Sequence, residues 1–291
     1  MKNKKFKKFL IVLFIIIFLI SIIVFTINIL KTKYRSIYKV SDEIIYEETY
    51  TDIFNEIDID IKMSDIYIKE SLDNTTKIII YGEKDYIIPT IKDNKLFIDI
   101  KNKNFIAFDF YSFISKIELY LPNNYNDVIR INNEYGNIEI DKFNESSMYI
   151  EQNYGDIYVL DSKYIKIYNK YGKINIDNSN MIRINSFKSN INIDKTSDIV
   201  IENKFGNVKI NNIDKYLKLI NENGNINIES IFLEKDSIID TEYGNVEISN
   251  IKDICIDAKT ERGKVKINNN YKKEKIKLKI NNKKGDIIIN N

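Results

Sequence analysis

The side chains that most often carry out chemistry near neutral pH are scarce in this sequence. None of its 291 residues is histidine, and Cys255 is the single cysteine. Without histidine the chain lacks the usual general base and the commonest metal ligand, and one cysteine cannot form a disulfide within the chain. Zinc chemistry and Ser/His/Asp catalysis are therefore excluded, and no cofactor is predicted.

Three glutamates recur at equivalent positions of a repeat described below. If successive copies stack as neighbouring β-strands, Glu222, Glu242 and Glu261 lie about 5 Å apart. Hard carboxylate oxygens suit Ca²⁺, which makes these residues candidates for a calcium site, while a solvated corner with Lys259 or Lys264 nearby accounts for the same pattern. Carboxylates about 5 Å apart also occur in retaining glycosidases. A polysaccharide-degrading solenoid therefore remains a remote alternative, although the expected function is not enzymatic.

Two further positions of the repeat carry residues suited to binding. The residue just before each repeat marker is often aromatic, and such a row either grips sugar rings or packs the corners of a stack. The members of this possible ligand surface are Tyr135, Tyr154, Tyr171, Phe205 and Tyr243. Another position carries cations that either face anionic envelope polymers or form a solvated outer face, namely Arg130, Lys166, Arg183, Lys218 and Lys279. With a net charge of only +2, nucleic acid is not an expected partner.

These rows depend on a repeat that glycine marks. Eight of the nine glycines recur at intervals of 17 to 22 residues, with Ser189 filling a ninth slot, and these glycines are Gly136, Gly155, Gly172, Gly206, Gly224, Gly244, Gly263 and Gly285. The second and fourth residues after every slot are aliphatic, as in Ile138 and Ile140, and most copies are also apolar seven and five residues before it. An alternation of apolar and polar residues with a period of two predicts strands. The alternation changes phase at the slot, which predicts that the chain turns a corner there.

The repeat predicts an all-β fold in which short units bury their apolar faces by stacking into a β-solenoid of two-strand rungs. Nine rungs about 4.8 Å apart give a rod of roughly 43 Å. Small polar residues three before each slot, such as Asn133 and Asn203, are expected to form a structural ladder. The lysines between Lys272 and Lys284 are expected to protect the C-terminal edge strand from aggregation. The segment around Ser64 is expected to form an earlier rung, with Ser64 in the position that glycine occupies in the other rungs.

The N-terminal residues predict the location of the protein. Residues 9–30 carry no charged side chain and are long enough to span a bilayer as a helix, whereas a cleaved signal peptide has a shorter apolar stretch. More cationic residues precede the span than follow it, which indicates a single-pass helix with a cytoplasmic N-terminal tail at residues 1–8. A juxtamembrane linker at residues 31–43, a β cap with early rungs at 44–122 and the repeats at 123–291 would lie outside the cytoplasm.

An aromatic segment lies within the predicted cap. It either belongs to the core of the cap or contacts the membrane or a protein partner, and its aromatic residues are Phe105, Phe108, Phe110, Tyr111 and Phe113.

The strand that ends in LYLP at Pro122, the repeated pattern in NEYGNIEI (133–140) and the N-terminal anchor resemble a family of bacterial β-strand-repeat proteins of unknown function, often labelled "putative adhesins". The resemblance covers roughly residues 53–289. It implies a solenoid located in the cell envelope, which in some members is linked to sensing envelope stress. Two functions follow as expectations. The first is a non-enzymatic envelope protein that presents an adhesin-like binding or scaffolding surface to an envelope polymer, and the alternative is a stress sensor that acts through a membrane protein partner.

Overall fold

The computed structural model describes residues 42–51, 53–82, 89–99, 114–251, 253–268 and 275–290. These residues belong to the second of two units in the chain, which runs from Asp42 to Asn291. They form strands and turns and contain no helix, which confirms the all-β prediction for this part of the chain. None of the described residues forms an apolar helix of membrane-spanning length. The membrane helix predicted for residues 9–30 lies outside the described residues.

The strands run as follows. The N-terminal part contains β1 (Ile44–Tyr50), β2 (Glu56–Met63), β3 (Asp65–Ser71), β4 (Thr76–Gly82), β5 (Thr90–Lys92), β6 (Lys95–Asp99) and β7 (Ile114–Pro122). The repeats contain β8 (Val128–Tyr135), β9 (Ile138–Ile140), β10 (Phe143–Tyr154), β11 (Ile157–Val159), β12 (Ser162–Ile176), β13 (Ser179–Phe205) and β14 (Val208–Asn223). They continue with β15 (Ile226–Ile231), β16 (Ser237–Tyr243), β17 (Val246–Ile248), β18 (Cys255–Arg262), β19 (Val265–Ile267), β20 (Lys277–Lys284) and β21 (Ile287–Ile289).

Each repeat forms one rung of a stack. The residues before a slot form one strand arm and those after it form a second arm, as β10 and β11 do on either side of Gly155. Equivalent arms of successive rungs pair in parallel, so that Ile150 lies beside Ile167 and Ile157 lies beside Ile174. The arms before the slots make a first column of strands and those after the slots a second column. These columns are the β-solenoid that the glycine spacing predicts.

The core consists of the aliphatic side chains that the alternation places inward. From Ile129 to Ile289, the aliphatic residues at these positions are at most 3 % exposed, except in the rung of Gly263. Burying one such side chain contributes about 1.5–3 kcal/mol. Since both columns contribute to a single apolar cluster, each rung is stabilised mainly by the rungs above and below it.

Two features of the corner favour glycine at most slots. At Gly155 the backbone φ is 138°, a conformation that side chains rarely adopt. A Cβ atom there would lie 1.9 Å from the carbonyl oxygen of Gly136 in the preceding rung. Ser189 avoids the first constraint because its φ is not positive. Its hydroxyl lies 2.5 Å from Ser186 Oγ and accepts a hydrogen bond from Asn169 Nδ2 at 3.1 Å.

Most of the polar residues three before the slots form the predicted structural ladder, but mainly by bonding to the backbone, whereas the buried Thr241 Oγ1 has no hydrogen-bond partner. Asn133 Nδ2 donates to the carbonyl oxygen of Ser64 at 2.9 Å, and Asn221 Nδ2 donates to that of Gly206 at 3.1 Å. Each acceptor is the slot residue of the preceding rung. A direct contact between ladder side chains occurs where Asn203 Nδ2 donates to Asn221 Oδ1 at 3.1 Å. The ladder side chains therefore supply donors to the carbonyl oxygens of the slot residues.

A second, external ladder runs along the residue just after each slot, and the sequence analysis missed it. Asn207 Oδ1 accepts a hydrogen bond from the backbone nitrogen of Asn225, and Asn225 Oδ1 accepts one from that of Asn245, both at 2.9 Å. The signal was present in the sequence, because asparagine or aspartate follows most of the slots. Side-chain acceptors of this kind satisfy backbone donors at a corner.

The last two rungs do not follow the order of the chain. β20 pairs with β16 on one side and β18 on the other, and β21 lies in the same way between β17 and β19. The rung of Gly285 is thus inserted between those of Gly244 and Gly263. The expectation that lysines up to Lys284 protect the edge is therefore wrong, because β20 is an interior strand. Among the described residues the edge is formed by β18 and β19, which carry Lys259, Arg262 and Lys266, with Lys264 in the corner between them.

The N-terminal end of the stack has a different construction. β2 and β3 form a rung with Ser64 in the slot, and they pair in parallel with β8 and β9. Beyond this rung, β6 and β7 add parallel strands, while β5, β4 and β1 add antiparallel ones. Phe54 closes the core at this end and is 1 % exposed. A mixed cap therefore precedes the parallel stack.

Candidate binding surface at the glycine corner

The aromatic residues before the slots form a stripe along the corner of the stack. Parallel register places Tyr135, Tyr154 and Tyr171 on consecutive rungs. The ring centroids of Tyr135 and Tyr154 are 5.0 Å apart with 3° between the ring planes, and those of Tyr154 and Tyr171 are 4.9 Å apart with 5° between them. Tyr135 and Tyr154 are each 43 % exposed. The rings thus support one another and still face solvent.

A phenylalanine that the sequence analysis overlooked continues the stripe. Lys188 occupies the next position of the row, and Phe187 beside it fills the gap. The Phe187 ring lies 5.6 Å from that of Tyr171 and 5.5 Å from that of Phe205, in edge-to-face arrangements. Five rings, from Tyr135 to Phe205, therefore make one continuous surface, which we call the aromatic stripe. Tyr243 lies apart from it, because Asn223 occupies the intervening rung.

The packing of the rings determines what they offer a ligand. The near-parallel tyrosines cover each other's faces, so their ring edges and hydroxyl groups are what remains accessible. Each aromatic pair contributes about 0.5–1.5 kcal/mol beyond the area it buries. The two roles considered for this row are therefore compatible, since the rings pack the corner and leave a repeating line of edges and hydroxyl groups outside.

The predicted carboxylate row is interrupted. Glu242 and Glu261 are not on adjacent rungs, because the inserted β20 places Lys283 between them. Lys283 donates a hydrogen bond to Glu242, and this bond, with a smaller contribution from Glu261, raises the pKa of the lysine. Lys204 makes an ion pair with Glu222 at 3.7 Å. The predicted alignment therefore holds for Glu222 and Glu242, which lie on adjacent rungs, and is wrong for Glu261. Among the described residues, no group of three or more acidic, cysteine or histidine side chains is arranged to hold a metal ion.

One pair of carboxyl groups does lie in a groove. A shallow groove of about 440 Å³ on the second column is lined by Tyr158, Asn175 and Asn192, and by Asp177 and Asp194. Desolvation and the neighbouring Asp194, to which it is hydrogen-bonded, raise the pKa of Asp177. The two carboxyl groups are in hydrogen-bond contact, which is closer than the roughly 5 Å separation of a retaining glycosidase. This pair therefore does not supply the geometry for the polysaccharide-degrading alternative.

The cationic row is partly neutralised. Arg130 Nε lies 2.7 Å from a carboxylate oxygen of Glu56, and Lys218 Nζ lies 3.2 Å from one of Glu202. Lys166 Nζ lies 4.8 Å from the ring centroid of Tyr168. Because several of its charges already have partners, this row offers an anionic polymer fewer free cations than the sequence suggests. The aromatic segment with Phe105, Phe108, Phe110, Tyr111 and Phe113 lies outside the described residues.

The described part of the chain is a parallel β-solenoid with a mixed β cap, and its surface rows repeat from rung to rung. The chain belongs to the Toastrack DUF4097 family, whose model matches residues 54–197 and again residues 177–290. The family resemblance seen in the sequence is thereby confirmed. No match is found among curated proteins.

Several solved structures resemble this chain. One is a "putative adhesin" from Bacteroides fragilis, with 18 % identity, a TM-score of 0.41 and coverage of 86 % of this chain and 98 % of that one. Another "putative adhesin", from Parabacteroides distasonis, has 13 % identity, a TM-score of 0.44 and coverage of 84 % and 96 %. A "putative lipid binding protein" from the same organism has 13 % identity, a TM-score of 0.36 and the same coverage. These neighbours are described as adhesins or binding proteins and not as enzymes.

Proposed function

We propose that this protein is a non-enzymatic, membrane-anchored protein of the cell envelope that binds a linear polymer along its aromatic stripe. Residues 9–30 would anchor it as a single helix, with the N-terminus in the cytoplasm and the solenoid outside. The observation that carries the proposal is the continuous row of five rings from Tyr135 to Phe205, of which Tyr171 is half-buried and the other four are exposed. Contacts repeated at every rung bind a polymer through many weak interactions instead of one pocket.

The surroundings of the stripe favour an uncharged polymer. On the sides of the rings lie anionic residues such as Glu134 and Asp156 and cationic ones such as Lys170 and Lys173. Mixed charges do not select an anionic ligand, whereas tyrosine hydroxyls and neighbouring side chains can exchange hydrogen bonds with sugar hydroxyl groups. A neutral cell-wall polysaccharide fits this surface best.

Sedimentation with purified, protein-free cell-wall polysaccharide tests the proposed ligand. We expect the full-length protein to sediment with the polymer and a Tyr154→Ala/Tyr171→Ala variant to remain in solution. A Tyr154→Phe/Tyr171→Phe variant keeps the rings and separates ring contacts from hydroxyl contacts. The control is Tyr158→Ala, which removes a tyrosine of similar exposure, 39 %, outside the stripe. Equal sedimentation of the double alanine variant and the wild type would refute the proposal.

Accessibility in whole cells tests the proposed location. A Cys255→Ser/Asn192→Cys variant places the single cysteine on the exposed surface of the second column. We expect a membrane-impermeant maleimide to label this cysteine in intact cells. Labelling that requires cell lysis would place the solenoid in the cytoplasm instead.

Chemical crosslinking in the same cells separates the two expected functions, because a discrete protein partner would favour the sensor over the adhesin-like role.

A further inference from the structure

The path of the chain leaves out one layer of the stack. After β17 the chain does not enter the adjacent layer, because residues 249–254 carry it one layer further to β18. Ile251 and Ile254 are 1 % and 0 % exposed, so this crossover is fixed against the core. The layer that was left out is filled by β20 and β21, which follow later in the sequence. The fold thus contains a site of one rung in width between β16–β17 and β18–β19, and residues 275–290 occupy it.

The side chains on both sides of this site match the rung that fills it. Lys283 lies between Glu242 and Glu261, and Lys284 Nζ lies 4.8 Å from the ring centroid of Tyr243. Asn281 Nδ2 donates to a carboxylate oxygen of Asp240. In chain order, Glu242 would instead lie beside Glu261, and two like charges directly opposite each other are destabilising.

The external ladder is matched in the same way. Asn245 Oδ1 accepts a hydrogen bond from the backbone nitrogen of Asp286 at 2.9 Å, and Asp286 Oδ1 accepts one from that of Lys264 at 2.8 Å. Lys264 has no side-chain oxygen to continue the ladder, and it belongs to the outermost rung. In chain order, Lys264 would precede Asp286 and the ladder would be broken between them. Charge therefore favours the inserted order, which also keeps this part of the ladder continuous, although Lys173 shows that the stack accommodates a break in the ladder.

We propose that this site also accepts residues 275–290 from a second copy of the chain, so that two copies form a reciprocal dimer by exchanging this rung. Among the described residues, the contacts that hold the rung are non-covalent and come from the rungs of Gly244 and Gly263. The same contacts form when the rung comes from another copy, which is the condition for domain swapping. Glu242 and Glu261 favour a rung with lysine at the position of Lys283, which Lys170 and Lys204 also provide in two other rungs, over a rung with glutamate there.

The connector sets the geometry of the dimer. Six residues, 269–274, join Asn268 to Lys275. Fully extended, this connection reaches at most about 24 Å. The two stacks must therefore lie side by side at their C-terminal ends. Insertion of the rung into its own stack competes with insertion into the stack of another copy. The dimer is therefore favoured where copies are concentrated, as on a membrane surface.

Two charge-reversed variants test the proposal in full-length protein in detergent. The first, Glu242→Lys/Glu261→Lys, surrounds Lys283 with cations, and the second, Lys283→Glu, places three carboxylates together. In either variant alone, residue 283 has the same charge as residues 242 and 261. This mismatch remains whether the rung stays in its own stack or is exchanged with an identical copy. In a reciprocal dimer of the two variants, each exchanged rung meets neighbours of opposite charge. We expect the co-refolded mixture to contain about tenfold more dimer than either variant alone, measured by light scattering after size exclusion.

Disulfide trapping identifies which strands pair in that dimer. In a Cys255→Ser background, the first variant receives Asp240→Cys and the second receives Asn281→Cys, since these positions are partners in β16 and β20. Oxidation should link the two chains, whereas Lys277→Cys in place of Asn281→Cys should not. A single chain with both Asp240→Cys and Asn281→Cys, and with native charges, should form the bond internally and shows that the geometry permits it. A second mixture combines two chains with native charges, one with Asp240→Cys and the other with Asn281→Cys. This mixture tests the same strand pairing if a charge-reversed variant does not fold.

The proposal would be overturned by two results together. The single-chain control would form its internal disulfide, and neither mixture would contain more disulfide-linked dimer than the Lys277→Cys control.

Discussion

Replacing Gly155 by alanine is expected to destabilise the stack more than any surface substitution. The φ of 138° lies in a region that only glycine adopts readily, at a cost of about 1–3 kcal/mol for other residues. The added Cβ would lie 1.9 Å from the carbonyl oxygen of Gly136. Relief requires movement of the backbone of the preceding rung, and overpacking of this kind costs about 1–3 kcal/mol. Together these effects predict a loss of about 2–6 kcal/mol in the free energy of unfolding.

Gly263 provides a control that separates the two costs. A Cβ there would lie 2.0 Å from the carbonyl oxygen of Gly285, but its φ is not in the left-handed range. It also belongs to the outermost rung of the described part of the chain, which pairs there only with the rung of Gly285 and can therefore shift. Gly263→Ala should therefore cost less than Gly155→Ala by at least about 1 kcal/mol. Urea unfolding of both variants measures the difference, and equal losses would show that backbone conformation does not fix glycine at the slots.

Two further substitutions test the ladders and the ion pairs. Asn221→Ala should lower the free energy of unfolding by about 1–3 kcal/mol, because it leaves the carbonyl oxygens of Gly206 and Gly224 without this buried donor. The exposed Asn192→Ala should cost less than about 0.5 kcal/mol in the same urea titration. Hydrogen bonds from Lys95 and Arg130 lower the pKa of Glu56 below its ordinary value of 4.5, so its contribution to stability is present above that value and is lost as the pH falls through the folded-state pKa. Glu56→Gln should therefore flatten the decline of the melting temperature upon acidification, and an unchanged decline would contradict this assignment.

The repeat could be predicted because its signal is local and redundant. Each slot is followed by aliphatic residues at fixed offsets, as at Ile174 and Ile176. If the register of a strand slips by one residue, all of its side chains move to the opposite face. Such a pattern specifies which side chains turn inward without any knowledge of the neighbouring rung. The N-terminal cap carries no such repetition, and its antiparallel strands, among them β4 (Thr76–Gly82), depend on pairing partners distant in sequence.

The order of the last rungs could not be read from the repeat, because every rung offers the same backbone edges to its neighbours. The information lies in side chains that depart from the pattern. Lys264 occupies a position that elsewhere is mostly asparagine or aspartate, and Ala258 replaces a larger aliphatic residue of the core. A rung with less apolar volume loses less by facing solvent on one side. Ala258 marks the rung of Gly263 as the terminal one among the described residues, whereas a lysine after the slot also occurs inside the stack, at Lys173.

The same reasoning explains which rows of equivalent positions are continuous in the structure. The aromatic stripe lies where rungs follow chain order, so equivalent positions such as Tyr135 and Tyr154 are also neighbours in space. The glutamate row extends into the reordered end, where Lys283 separates residues that are equivalent in sequence. A row of equivalent positions is therefore a continuous surface only where chain order and stacking order agree. For this chain that condition holds from the rung of Gly136 to that of Gly244, and the stripe proposed to bind a polymer lies within it.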